Sequence, residues 1–138
     1  MRTWLAALVV LLAACDGAER RDAEVVLSAI GRFRTADNAT TPAAVEALRA
    51  TPCIAADASG ARDACVAAGD ATARALRLKA EVERGVHALE RGALDKTSPE
   101  AQALPRKLDE AEALLKAGHD GLPVCDEKAQ ALKRKHRI

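Results

Sequence analysis

The sequence predicts an all-α fold, a small antiparallel helical bundle of about four to five helices behind a short apolar leader. Three observations carry this prediction. Apolar residues make up 49% of the 138 positions, mostly alanine, leucine and valine, while aromatic residues make up 1%. Alanine is the strongest helix former, whereas a sheet draws on aromatic and β-branched side chains that are scarce here. Apolar residues recur at three- and four-residue steps along most of the chain. Capping and stopping residues divide it into segments with short connections, which place successive helices antiparallel.

Each element has a local reason. Residues 1–14, MRTWLAALVVLLAA, combine one basic residue, Arg2, with an apolar run from Leu5 to Ala14. A run of about ten residues suits the core of a signal peptide, whereas a membrane span needs about 20. Residues 15–20 read as a tether, in which DGAER (16–20) stretches to at most about 18 Å. Residues 21–138 then form the bundle domain. Its first helix starts near Glu19 and reaches Ala36, with Ala23, Val26, Leu27, Ile30 and Phe33 on one face. Thr41 as N-cap and Pro42 at the first helical position open a short second helix, which Thr51-Pro52 stops. Residues 53–61 read as a loop. A long third helix, about Ala61 to Gly92, carries the stripe Cys65, Ala68, Thr72, Leu76, Val82, Val86 and Leu89. A fourth starts at Ser98-Pro99-Glu100, is interrupted at Pro105 and ends at Gly118, with Leu108, Ala111, Leu114 and Leu115 as its apolar face. A fifth runs from Pro123 to about Arg137, turning Val124, Cys125, Ala129 and Leu132 inward.

One of the 21 Lys and Arg residues, Arg2, lies in the leader, so the rest of the chain balances its 20 Asp and Glu. Such a chain has no global attraction for nucleic acid. The strongest local cluster is KRKHRI, residues 133–138. Cations there suit a helix C-terminus, and near a bilayer each contributes about 1 kcal/mol toward anionic lipid.

Cys53, Cys65 and Cys125 follow Cys15. An exported chain meets an oxidising compartment, so one disulfide is expected, with one thiol left over. Antiparallel packing brings the three to one end of the bundle. The pair Cys53–Cys65, a loop beside the helix that follows it, is slightly favoured over Cys65–Cys125, which would close a longer loop and stabilise more. No C-x-x-C pair occurs, which argues against redox, zinc-ribbon and haem-attachment motifs.

Candidate chemistry is sparse. Glu83, His87 and Glu90, spaced by four and three, could share a helix face and hold one divalent ion, or could be a surface patch. His119 and Asp120 read as a polar turn beside Gly118. Ser28, Ser59 and Ser98 lack a nucleophile-elbow context, and neither a phosphate-cradling loop nor a dinucleotide fingerprint occurs. No cofactor and no catalytic activity are expected.

The stretch Leu12-Ala13-Ala14-Cys15 resembles the lipobox of bacterial lipoprotein signals. The resemblance covers the leader and the first mature residue. It implies cleavage before Cys15, acylation of that cysteine and anchoring in a lipid bilayer on the periplasmic side or the cell surface of a bacterial envelope. Asp16 bears on the choice between inner and outer membrane, which stays open. The remaining chain loosely resembles uncharacterised alanine-rich helical lipoproteins. The expected function is a non-catalytic envelope module that binds an envelope protein or the cell wall. The alternative is a small-ligand or metal carrier built on Glu83, His87 and Glu90.

Overall fold

Long alanine-rich segments without strand-forming runs fold here as helices throughout. The structure, a computed structural model, describes the backbone of residues 2–138 and the side chains from residue 17 onward. Its elements are α1 (Arg2–Thr35), α2 (Thr41–Arg49), α3 (Ala56–Glu90) and α4 (Pro99–His136), with no strand among the described residues. The all-α bundle expected from composition and spacing is the observed fold. The lipobox residues Leu12-Ala13-Ala14-Cys15 lie outside the described side chains.

The elements differ from expectation in three places. Gly17–Arg20, assigned to the tether, belong to α1. Nothing in Ala18-Glu19-Arg20 breaks a helix, and one glycine costs only about 1 kcal/mol. Helix α3 starts at Ala56, so most of the expected loop 53–61 is helical. Its entry is held from a distance. Ala55, at the N-cap, has no side-chain cap of its own, and Asp22 of α1 accepts from the backbone N–H groups of Ile54 (2.6 Å) and Ala55 (2.9 Å). Finally, the expected fourth and fifth helices are one, α4, with Pro105 and Pro123 inside it. Both prolines occupy exposed positions, where the carbonyl each one frees can tilt toward water. The Ser98-Pro99 start is as expected, with Ser98 Oγ accepting from the Ala101 N–H at 3.1 Å.

Helices α3 and α4 form a long antiparallel hairpin, each more than about 50 Å in length. On α4, Ala101, Leu104, Leu108, Ala111, Leu115, Gly118, Leu122, Cys125, Ala129 and Leu132 alternate steps of three and four without a break. That is the heptad spacing of two-helix packing. Gly118 is therefore a contact residue within the helix. A Cβ there would lie 3.0 Å from the Ala68 carbonyl oxygen and closer still to Thr72 Oγ1. Gly121 likewise faces Ala68. The two backbones approach because small residues meet at this crossing.

Helices α1 and α2 cover one face of this hairpin over roughly half its length. Helix α1 runs parallel to α3, with Asp22 beside Ile54 and Phe33 on Gly69. It runs antiparallel to α4, with Glu19 near Lys135 and Arg34 near Asp126. The shared core joins Ala23, Val26, Ile30 and Phe33 of α1, Val45 and Leu48 of α2, Ala58, Ala61, Cys65 and Val66 of α3, and Cys125, Ala129 and Leu132 of α4. Beyond about Arg74 the hairpin continues alone as a two-helix arm for about 25 Å, to the turn at Gly92.

Two glycine substitutions separate packing from propensity. Gly118→Val should destabilise the bundle by about 1–3 kcal/mol, because it meets Thr72 Oγ1 and, beside it, the backbone of Ala68 and Thr72. Gly31→Ala, which meets nothing within 4 Å, should stabilise by up to about 1 kcal/mol. Thermal melts followed by circular dichroism should move in opposite directions.

Candidate functional site

Heptad spacing turns Cys65 and Cys125 toward each other across the α3–α4 seam. Both are fully buried and they form a disulfide, Cα–Cα 4.5 Å. The favoured pair Cys53–Cys65 is not the one formed. Because α3 begins at Ala56, Cys65 lies nine residues inside the helix, about 14 Å along its axis from the loop that carries Cys53. A disulfide tolerates at most about 7 Å between Cα atoms. Cys53 remains a half-buried thiol whose Sγ takes a hydrogen bond from Arg62 Nη1 at 3.4 Å. Burial pushes this thiol up from its ordinary pKa, against a smaller opposing effect of the Arg62 charge. It is therefore not poised as a thiolate nucleophile.

The candidate metal residues do not converge. His87 Nδ1 lies 3.2 Å from Glu90 Oε2, while Glu83 pairs with Lys79 at 4.0 Å on an exposed helix flank. Among the described residues no three His, Cys, Asp or Glu side chains are grouped to hold a metal ion. His119 and Asp120 stand on an exposed turn of α4, where Asp120 pairs with Lys116 at 2.5 Å.

Two features escape the sequence reading. The first is an ionic clamp at the end of the bundle where α3 begins and α4 finishes. Asp57 Oδ2 accepts from Lys135 Nζ at 2.7 Å and lies 3.0 Å from His136 Nε2, and Lys135 also reaches Glu19 Oε2 at 3.3 Å. Burial would raise the Asp57 pKa, but the hydrogen bonds from Lys135 and His136 outweigh it and hold the carboxyl at about 2. The clamp ties the first turn of α3, the last of α4 and the described start of α1. No sequence signal pairs residues so far apart.

The second feature is the arm, whose two faces differ. On one face, Lys107 meets Glu81 at 2.8 Å and Arg74 meets Glu110 at 3.4 Å. A shallow charged groove of about 490 Å³ runs there between Arg84, Glu100 and Leu104. On the other face, Val86, Leu108 and Leu115 remain 41%, 42% and 41% exposed. Leu108 and Leu115 continue the α4 heptad row whose next members, Leu122 and Ala129, are packed into the shared core.

The chain matches no family model, no curated protein and no solved structure. Among the described residues no helix is long and apolar enough to cross a membrane.

Removing the bridge with Cys65→Ser and Cys125→Ser should cost about 4 kcal/mol from the 60-residue separation it closes, whereas Cys53→Ser should cost little. Urea unfolding of the variants checks the order, and a non-reducing peptide map should show Cys53 alkylated. A second prediction concerns acid. The Asp57 pKa is depressed in the folded state, so its stabilising contribution is present above about pH 4 and is lost as pH falls toward 2. The stability gap between wild type and Asp57→Asn should close over that window.

Proposed function

We propose that this chain is a lipid-anchored protein of the bacterial envelope. It acts as a non-catalytic interaction module whose arm binds a helical segment of another envelope protein. The observation that carries the binding role is the uncovered apolar row Val86, Leu108 and Leu115. In the lower half of the hairpin the same row is covered by α1, an amphipathic helix with small and aliphatic contact residues. A partner helix of that kind would fit the upper half as α1 fits the lower. A row of exposed aliphatic side chains favours a protein helix over the polar glycans of a cell wall.

The anchor rests on the Leu12-Ala13-Ala14-Cys15 motif. Two or more acyl chains hold a protein stably on a bilayer. In such an arrangement the arm tip stands about 50 Å from the anchored end, within reach of partners beyond the lipid headgroups.

The test uses a photo-reactive residue placed in living cells at Leu108 or Leu115 on one face, or at Arg77 on the other. Adducts with one defined protein from the first two positions, lost in a Leu108→Glu, Leu115→Glu double variant that melts as wild type, support the reading. Equal adducts from both faces overturn it. Cys15→Ser should remove the acyl mass increment that the wild-type N-terminal peptide carries.

A further inference from the structure

The clamped end of the bundle carries three things that belong together. The first is the polypeptide itself. Helix α1 meets the clamp at this end, with Glu19 against Lys135, and Cys15 is four residues upstream of that contact. The second is charge. Arg21, Lys133, Arg134 and Arg137 are exposed here and pair with no carboxylate among the described residues. The acidic side chains described alongside them are already engaged. Asp22 accepts two backbone N–H groups, Asp57 and Glu19 share Lys135, and Glu24 pairs with Arg20. The third is Ile54. It sits in the turn before α3, its backbone N–H held by Asp22, and its side chain is 96% exposed.

An isoleucine presented this fully to solvent by a fixed turn gains nothing from the fold. Sharing this end with unpaired cations, it has the chemistry of an interfacial anchor, an apolar side chain for the acyl boundary beside charges for phosphate. We propose that this end of the bundle, Ile54 with Arg21, Lys133, Arg134 and Arg137, is a docking surface for an anionic phospholipid bilayer. The proposal rests on the lipid-anchored reading for which end meets the membrane. It adds that the protein stands in a defined orientation, with α3 and α4 pointing away from the lipid and the arm tip outermost. An acyl chain alone would leave the body free to tumble about its attachment.

The vesicle test uses the full chain with Cys15→Ser, which removes the acylation site. The leader, with Arg2 and the N-terminal amine, is the same in every variant, so the change in anionic preference between variants isolates the surface. Binding to vesicles of phosphatidylglycerol and phosphatidylcholine should exceed binding to pure phosphatidylcholine by at least tenfold in low salt, and should fall in high salt. Each cation near the surface is worth about fivefold, so Arg21→Gln, Lys133→Gln, Arg134→Gln and Arg137→Gln together should reduce the preference at least tenfold, with helicity unchanged. Ile54→Ser should weaken binding to the anionic vesicles several-fold. Equal binding to both vesicle types, or a preference that the four substitutions leave undiminished, overturns the proposal. Binding to anionic vesicles that Ile54→Ser leaves unchanged also overturns it, in favour of a soluble polyanion. The mass of Cys15 in wild-type protein tests the anchor separately, so anchor and surface can fail independently.

Discussion

The close crossing of α3 and α4 is the constraint from which the other features follow. An alanine-rich helix has little side chain to bury, and each buried alanine contributes far less than a leucine. Ten of the core positions are alanine, and the largest fully buried side chains are Leu48, Val26, Val45 and the two joined cysteines. Such helices hold together only if their backbones come near. Gly118 and Gly121 on one side, with Ala68 and Thr72 on the other, permit that approach. The Cys65–Cys125 bridge then fixes register one turn away from the crossing. A contribution of about 4 kcal/mol is large beside the 5–15 kcal/mol of a typical domain.

With the register fixed, long-range polar contacts fall into line. Asp57 can meet Lys135 and His136 only if the first turn of α3 lies beside the last turn of α4. Asp22 can cap the entry to α3 only if α1 crosses the same end. Arg49 of α2 reaches Asp70 of α3, and Arg34 of α1 reaches Asp126 of α4 at 3.1 Å. These exposed pairs contribute little individually. Their arrangement shows that α1 and α2 are seated on one half of the hairpin.

The helical class was visible in composition and spacing, and the start at Ser98-Pro99 in local cap chemistry; the Thr41 cap was not, since Thr40 stands at the N-cap without a side-chain cap and Thr41 is the first residue of α2. The join between the expected fourth and fifth helices was not. Gly118 and Pro123 are breakers by local rules, yet the alternation of threes and fours from Ala101 to Leu132 crosses both without losing step. Period over a long window outweighs a single glycine when the glycine sits on the contact face. The cysteine pairing was misjudged for a related reason. Placing the start of α3 five residues late made Cys65 look adjacent to the loop of Cys53. The clamp at Asp57 and the exposure of Ile54 depend on which chain ends meet, which no local pattern encodes.

Polarity links the two ends of the molecule. Where α1 and α2 stop, the aliphatic row on the hairpin does not: Leu108 and Leu115 keep the spacing of Leu122 and Ala129 with nothing over them. Alanine at either position would serve the helix equally well, so the helix itself does not call for leucine there. At the opposite end Ile54 is exposed where the fold likewise gains nothing from it. Soluble surfaces tolerate scattered apolar residues, but these lie about 30–45 Å apart along one rigid hairpin. Ile54 shares its end with the exposed cations Arg21, Lys133, Arg134 and Arg137, whereas the aliphatic row continues a packed helix seam. The two ends therefore suit different surroundings, a charged interface below and an aliphatic helix above, and the stiffness of a disulfide-locked hairpin keeps them apart.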